Sequence, residues 1–365
     1  MKPKLVFTGG GTAGHVTPNL ALINGLAADF DIAYIGSKKG VEHQIISNQN
    51  IPYYAVRSGK LRRYFSLKNL RDPFNLIAGI FQAAFILNKL KPKLVFSKGG
   101  FVALPVVIGA WLNRIPVIAH ESDLSPGLAN KLSFPFVSQI CVTFEAGKNY
   151  FKKQDKVLVT GTPIRPELSQ GSREAGLKYC GFDGNKPCLL VMGGSLGAGV
   201  LNRCVREELE ALTTHFHVIH LCGKNKLDKN LLNHPDYYQL EYASDNLPDL
   251  FAASDIVLSR AGANALYEIL ALAKPHVLVP LSQRYSRGDQ IDNAKYFEKK
   301  GVSTVLDDTK NLSAEAVREA LEAVYASREL ITEKIKALNI QSATPKLIAL
   351  ILASCHEKLK TPSTS

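Results

Sequence analysis

The sequence has few of the features that mark a secreted, membrane-spanning or metal-binding protein. Its six cysteines are scattered and form no close pair of the zinc-binding kind, which favours reduced thiols in a cytosolic protein over a disulfide framework. The chain starts without a charged and apolar leader, so we expect no secretory signal. It has no apolar run of about eighteen residues or more, so we expect no transmembrane helix. There is no solenoid period either, and the polar stretch 361–365 is the one low-complexity segment.

The composition is that of a globular protein with an excess of positive charge. The 365 residues suffice for two domains of ordinary size, and 46% of them are hydrophobic. Lysine and arginine number 44 against 32 aspartate and glutamate residues, a formal net charge of +12. Such an excess indicates an anionic partner, either a nucleic acid, an anionic lipid or a phosphorylated substrate, with solubility alone as the alternative.

A glycine cluster follows an apolar, strand-like run at three places. The first cluster begins at Gly9, the second is Lys98-Gly99-Gly100, and the third begins at Gly193. Glycines let the backbone approach a bound group closely, and a helix start favours negative charge. The loops therefore indicate binding of phosphate or of a developing oxyanion, although a single such loop can equally be a tight turn without a ligand.

Apolar runs alternate with helical patterns along both halves of the chain. Predicted strands cover 4–8, 32–35, 53–56, 94–97, 117–120, 140–143, 157–160, 188–192, 217–221, 238–242, 256–258, 276–279 and 303–306. Predicted helices cover 18–28, 73–90, 102–112, 126–132, 200–212, 247–252, 265–272 and 289–299, followed by a helical tail from 313 to about 358. This alternation predicts two α/β domains with doubly wound parallel sheets, separated by the proline-containing turn 161–166 and facing each other across a ligand-binding cleft.

Six short motifs in order resemble the MurG family of peptidoglycan glycosyltransferases along almost the whole chain. They are Gly10-Gly11-Thr12-Ala13-Gly14-His15, Lys98-Gly99-Gly100-Phe101-Val102, His120-Glu121-Ser122-Asp123, Gly193-Gly194-Ser195-Leu196-Gly197-Ala198, Arg260-Ala261-Gly262-Ala263 with Glu268, and Asp289-Gln290-Ile291-Asp292-Asn293-Ala294. The resemblance implies a GT-B fold of two Rossmann-like domains. Residues 1–163, joined by a C-terminal helix at about 341–360, would form the acceptor and membrane-binding domain, and residues 164–340 the UDP-sugar-binding domain.

The resemblance also implies a reaction. It is the inverting transfer of N-acetylglucosamine from UDP-N-acetylglucosamine to the C4 hydroxyl of the muramoyl sugar of lipid I, at the cytoplasmic face of the cell membrane. No cofactor and no bound metal are implied. The triplet Asp29-Phe30-Asp31 lies between a predicted helix and a strand, away from strand carboxyl ends, and is interpreted as a turn.

An inverting transfer is a single displacement that needs a base and stabilisation of the departing diphosphate. His15 is the first candidate base, since the ordinary pKa of histidine, near 6.5, suits proton transfer at neutral pH. It could instead bind the acceptor pyrophosphate. Glu121 is a second acid–base candidate, with an ion pair as the alternative. Ser195 and the helix start after it would stabilise the diphosphate.

The resemblance assigns further residues to the substrates. Those assigned to UDP-N-acetylglucosamine are Thr12, Ala13, Gly14, Asp123, Arg165, Ser195, Ala263, Asn264, Ala265, Leu266, Tyr267, Glu268 and Gln290, with Glu268 on the ribose and Gln290 on the sugar. Those assigned to the acceptor loops are Gly99, Gly100 and Asn130. Ala13 stands where the family usually has glycine, and Asp123 stands where it usually has asparagine.

A basic segment followed by an apolar helix stripe indicates contact with an anionic membrane surface. The segment contains Arg62, Arg63 and Lys68, and the stripe contains Ile77, Ile80 and Phe81. The alternative is a core-facing helix beside a basic loop. Two other functions stay open: a GT-B transferase with a different acceptor and, because of the charge, a nucleic-acid-binding module. No nucleic-acid-binding motif is evident, so we expect no nucleic acid partner.

Overall fold

The apolar runs of the first half of the chain form a fully parallel sheet. The computed structural model describes residues 2–59, 72–194, 197–284, 286–308 and 312–356. The strands are β1 Lys4–Thr8, β2 Asp31–Ser37, β3 Tyr53–Val56, β4 Leu94–Ser97, β5 Val117–Glu121, β6 Gln139–Val142 and β7 Val157–Val159. Their spatial order is β3-β2-β1-β4-β5-β6-β7, so the winding reverses between β1 and β4. Ligands of such sheets bind beyond the carboxyl ends of the strands at the reversal.

Both faces of this sheet are covered, because successive side chains of a strand point to opposite sides. Val6 packs on one face with Val95 and Val107, whereas Leu5 and Phe7 pack on the other face. The helices of this region are α1 Thr17–Leu26, α2 Val41–Ser47, α3 Asp72–Leu90, α4 Ala103–Leu112 and α5 Leu128–Ser133.

A second parallel sheet follows, with six strands in the order of a Rossmann fold. Its strands are β8 Cys188–Met192, β9 His217–Leu221, β10 Tyr237–Leu240, β11 Ile256–Ser259, β12 His276–Leu278 and β13 Thr304–Val305. The order β10-β9-β8-β11-β12-β13 places the reversal between β8 and β11. Its helices are α6 Arg173–Cys180, α7 Gly199–Glu207, α8 Leu209–His215, α9 Leu247–Ala253, α10 Ala263–Ala271, α11 Asp289–Glu298, α12 Ala314–Ala326 and α13 Arg328–Ala337.

The last helix, α14 Thr344–His356, returns to the first sheet. Leu347 and Ile351 are fully buried there, in the cluster that also contains Leu5 and Phe7. The Ala343 N–H donates to the Thr162 carbonyl at 3.0 Å. The chain accordingly divides into two units, Met1–Ile164 with Ser342–Ser365, and Arg165–Gln341.

The helices differ from the sequence-based prediction in three places. Two short helices, α2 and α6, were not predicted. The predicted helix 200–212 is two helices, because the backbone of Glu208 leaves the helical conformation between α7 and α8. The predicted tail is three separate helices, α12 to α14, and the second of them ends just before Asn339, whose φ is 48°.

Candidate active site

The first glycine loop joins β1 to α1, and protein acceptors hold its backbone. The Gly10 N–H donates to the Gly99 carbonyl at 3.3 Å, and the Gly11 N–H donates to Oε2 of Glu42 at 3.1 Å. These two N–H groups are therefore already hydrogen-bonded within the protein. The sequence predicted an anion-binding loop here, and it gave no sign of Glu42.

The end of the same loop brings two assigned residues, Thr12 and His15, into contact. A 3-10 turn, Ala13–His15, precedes α1, and the His15 N–H donates to the Thr12 carbonyl at 3.1 Å. The Thr12 hydroxyl lies 3.0 Å from Nδ1 of His15. This contact orients the imidazole and leaves Nε2 as the ring nitrogen away from Thr12.

The second glycine loop lies against the first. Gly100 has φ of 84°, and a Cβ there would lie 2.2 Å from the Gly10 carbonyl oxygen. A Cβ on Gly99, whose φ is 90°, would lie 2.4 Å from Oδ1 of Asn130. Both positions thus require glycine, and the three residues assigned to the acceptor loops meet at one place beside the first loop.

Glu121 is held by hydrogen bonds from the loop that follows β5. Its Oε1 accepts from the Asp123 N–H at 3.0 Å, and its Oε2 accepts from the Gly127 N–H at 3.0 Å and from Nδ2 of Asn130 at 2.8 Å. The side chain is buried. This arrangement is typical of a carboxylate that positions a loop, and the acid–base role and the ion pair considered from the sequence stay predictions.

A buried lysine, Lys98, lies beneath the second loop, and the sequence did not predict a role for its side chain. Lys98 is buried and contacts both Nδ1 of His120, at 2.7 Å, and the hydroxyl of Ser122. His120 donates Nε2–H to the Gly161 carbonyl at 2.8 Å. Burial lowers the pKa of Lys98 to about 7, and the charges of Glu121 and Asp123 oppose this shift. Burial, and then the nearby Lys98, lower the pKa of His120 well below its usual value, so the imidazole is neutral.

The third glycine loop lies at the reversal point of the second sheet, between β8 and α7. Gly197 has φ of 66°, and a Cβ there would lie 1.9 Å from the Cys222 carbonyl oxygen. Its carbonyl accepts from Nζ of Lys226 at 3.3 Å. Ser195, the residue expected to meet the diphosphate, lies outside the described residues, as does Leu196.

Glu268 on α10 forms a bidentate ion pair with Arg165. Nε of Arg165 donates to Oε1 at 2.9 Å, and Nη2 donates to Oε2 at 3.0 Å. Burial lowers the pKa of Arg165, but the charge and the hydrogen bonds of Glu268 together outweigh burial and raise it. The sequence assigned the two residues separately to the donor, and the structure brings them into contact.

The remaining residues of α10 divide into two sets. Gly262 precedes the helix, and Asn264 and Ala265 are half-buried in its first turn. Leu266 and Tyr267 are buried in the domain, and the Tyr267 ring stands edge-on to Phe297 at 5.6 Å between centroids. Ala263 is buried as well. The side chains of these three residues are therefore packed inside the domain.

Gln290 connects the start of α11 to the neighbouring loops. Its Oε1 accepts from the Leu281 N–H at 2.9 Å, and its Nε2 lies near Gly262, 4.0 Å from the position that a Cβ would take. Asn293 donates to the Ala261 carbonyl at 3.2 Å. The loops after β11 and β12 are thus held together beside the reversal point.

Among the described residues, no group of three or more histidine, cysteine, aspartate or glutamate side chains could hold a metal ion. Asp29 lies in the turn after α1, where its N–H donates to the Leu26 carbonyl at 3.0 Å, and Asp31 is the first residue of β2. The triplet 29–31 therefore sits at the amino end of its strand.

Helix α3 exposes an apolar face. Phe74, Ile77, Phe81 and Phe85 are 74%, 52%, 68% and 63% exposed, whereas Ile80 is half-buried. Among the described residues, α3 is the one helix that could cross a membrane by length and composition alone, and 17% of its apolar window is buried. The expectation of no transmembrane helix stays a prediction. Arg62, Arg63 and Lys68 lie outside the described residues.

The comparisons with known proteins agree with this arrangement. Residues 5–142 match the glycosyltransferase family 28 N-terminal domain, and residues 188–350 match the glycosyltransferase family 28 C-terminal domain. A UDP-N-acetylglucosamine--N-acetylmuramyl-(pentapeptide) pyrophosphoryl-undecaprenol N-acetylglucosamine transferase of Legionella pneumophila (strain Lens) is 59% identical over 363 residues, 99% of each chain. The protein of the same name from Clostridium tetani is 52% identical, over 96% of this chain and 98% of its own.

The crystal structure of Acinetobacter baumannii MurG resembles the fold with a TM-score of 0.74 at 24% identity, covering 97% of this chain and 100% of that one. This likeness confirms the predicted GT-B fold. The matched domains and the full-length relatives confirm the predicted resemblance, and the chain belongs to glycosyltransferase family 28, in its MurG group.

Proposed function

We propose that the chain transfers N-acetylglucosamine from UDP-N-acetylglucosamine to the C4 hydroxyl of the muramoyl sugar of lipid I, with inversion, releasing UDP and lipid II. The observation that carries the proposal is the 59% identity, over 99% of both chains, to a transferase whose name specifies this sugar and this acceptor. The first unit would bind the acceptor, and the second unit the UDP-sugar.

The donor would bind at the reversal between β8 and β11. The loop Gly193–Ala198 and the start of α7 would bind the diphosphate. The remaining lone pairs of Glu268 would accept from the ribose hydroxyls, and Gln290 would bind the sugar. Arg165 then holds the Glu268 carboxylate in orientation. The leaving group would be stabilised by this loop and helix start, and the reaction would need no metal ion.

His15 would take the proton of the acceptor hydroxyl. The Thr12 hydroxyl at 3.0 Å from Nδ1 supports this role, because it can accept the Nδ1 proton and so keep Nε2 basic. Gly99, Gly100 and Asn130 lie beside the same loop, on the acceptor side of the proposal.

The enzyme would bind the cytoplasmic face of the cell membrane peripherally. Helix α3 packs closely against the first unit, since a Cβ on Gly79 would lie 2.0 Å from the Arg57 carbonyl oxygen. This packing supports a helix that lies along the membrane surface and does not cross the bilayer. Its exposed aromatic face would enter the interface, with Arg62, Arg63 and Lys68 on anionic headgroups.

The deciding experiment measures UDP release with UDP-N-acetylglucosamine and a lipid I analogue, with and without EDTA. We expect turnover that depends on the lipid I analogue and is unchanged by EDTA. Turnover with another acceptor but not with lipid I would refute the acceptor assignment. Complete loss in EDTA that a divalent cation restores would refute metal independence.

A further inference from the structure

A buried carboxylate lies directly behind the first glycine loop. Glu42, on the short helix α2, has no exposed surface, and among the described residues no cation forms an ion pair with it. Its charge is instead satisfied by donors: the N–H groups of Gly11 and Ser37, each at 3.1 Å, and the Ser37 hydroxyl. Hydrogen bonds to a charged acceptor are among the stronger ones in proteins.

Two glycines, Gly10 and Gly40, leave room for this carboxylate. A Cβ on Gly10 would lie 2.5 Å from its Cδ and a Cβ on Gly40 2.1 Å from its Oε1, whereas a Cβ on Gly36 would meet the Tyr53 hydroxyl first, at 2.2 Å, and the Cγ of Glu42 at 3.0 Å. Gly10 does not have the left-handed conformation, so an alanine there would be opposed by contact and not by the backbone. The space is therefore shaped around Glu42.

A second set of contacts anchors the beginning of the loop. Tyr34 donates its hydroxyl to the Gly9 carbonyl at 2.7 Å, and Nδ2 of Asn19 lies 3.2 Å from the same hydroxyl. Burial, together with the charge of Glu42, raises the pKa of Tyr34, which keeps this hydroxyl a donor. The start of the loop is thus fixed by Tyr34, and its middle by Glu42.

We propose that Glu42 is the positioning residue of the first glycine loop: its carboxylate fixes Gly10 and Gly11, and so places His15, which Thr12 orients, for the acceptor. The inference rests on the proposed function, in which His15 accepts the proton. Because Glu42 is fully buried and accepts from the Gly11 N–H, its effect would reach the substrate through the loop.

Glu42→Gln, which keeps the size of the side chain and removes its charge, tests this role. Glu145→Gln serves as a matched control, because Glu145 is an exposed carboxylate of the same unit. We expect Glu42→Gln to lower kcat about ten- to a hundredfold, the range for losing a hydrogen bond to a charged group. UDP affinity, a property of the second unit, should stay within about twofold, and faster amide hydrogen exchange should be confined to residues 9–15 and 36–42.

A double-mutant cycle with Gly10→Ala gives an independent measurement. In the wild-type background, Gly10→Ala should lower kcat strongly, because the new methyl group meets the Glu42 carboxylate. In the Glu42→Ala background, where that carboxylate is absent, Gly10→Ala should lower kcat less. Multiplicative effects in this cycle would overturn the proposal, as would kcat of Glu42→Gln within twofold of wild type, or an equal fall in kcat and in UDP affinity. A wild-type protein without lipid I-dependent turnover would refute the proposed function instead, while hydrogen exchange would still report on the loop.

Discussion

Replacing Glu268 by alanine tests two roles of one carboxylate. Its oxygens accept from Arg165 at 2.9 and 3.0 Å, and the side chains of Glu268 and Arg165 are 12% and 26% exposed. A carboxylate has about four lone-pair sites, so roughly two remain for the ribose hydroxyls of UDP. The ion pair and the proposed ribose contacts can therefore exist together.

The two roles predict separate losses. Breaking a fully buried ion pair costs about 3–5 kcal/mol of stability. Because Arg165 keeps partial access to water, we expect Glu268→Ala to lower the free energy of unfolding of the second unit by about 1–3 kcal/mol. Losing a hydrogen bond to a charged group costs about 1.5–3 kcal/mol of binding, so the Kd for UDP should rise about ten- to a hundredfold.

Calorimetry with UDP and with 2′-deoxy-UDP separates these losses. Wild type should prefer UDP, and Glu268→Ala should bind both equally. Arg165→Met is the control: it should lose a similar amount of stability, yet keep a preference for the 2′-hydroxyl. A folded Glu268→Ala protein that binds UDP as tightly as wild type, or that still prefers it over the deoxy compound, would refute the ribose contact.

Two further predictions concern the first unit. For Lys98, the folded pKa of about 7 lies below the ordinary value of 10.5. Between these values the unfolded chain binds the extra proton, so stability rises with pH and is lost as pH falls towards 7. In urea unfolding, the free energy of unfolding of wild type should rise from pH 7 to pH 9 by about 2–3 kcal/mol more than that of Lys98→Met. The same pH dependence in both proteins would contradict the lowered pKa of Lys98. The second change, Phe81→Ser with Phe85→Ser, should weaken binding to anionic vesicles at least about tenfold at unchanged Tm, because both rings are already exposed. Leu330→Ser, an exposed change in the second unit, is its control, and an equal loss in both proteins would contradict a specific membrane face.

The strands were predictable because each is a short buried run between turn residues, and five predicted ranges match the observed strands residue for residue. Helix α6 was missed although its signals are present: the Ser172 side chain accepts from the Ala175 N–H at 3.3 Å, and Gly181 ends the helix with φ of 75°. Helix α2 gives no comparable signal, since Val41–Ser47 is short and mostly polar.

Pairings between distant residues were the part of the site that the sequence could not provide. Arg165 and Glu268 are 103 positions apart, and each alone suggests a ligand contact. A single glutamate on a short helix, such as Glu42, is usually exposed to solvent. No neighbouring residue in the sequence indicates that the Gly11 N–H donates to its carboxylate. The glycine loops could be recognised because their residue types are constrained locally, whereas the groups that hold them are selected by the tertiary fold.

The first and third glycine loops, which follow β1 and β8 at the two sheet reversals, have similar sequences. The charged side chains behind these two loops have opposite signs. Behind the first loop lies a buried carboxylate, Glu42, which accepts from the Gly11 N–H. Behind the third lie cations: Lys226 donates to the Gly197 carbonyl at 3.3 Å, and Arg206 donates to the Lys226 carbonyl at 2.7 Å. Positive charge behind a loop favours an anionic diphosphate, while negative charge behind a loop disfavours one and favours a group that gains a proton. Residue types alone make both loops phosphate-like, and the charges behind them support the proposed division of roles, with the third loop for the leaving group and the first for the base.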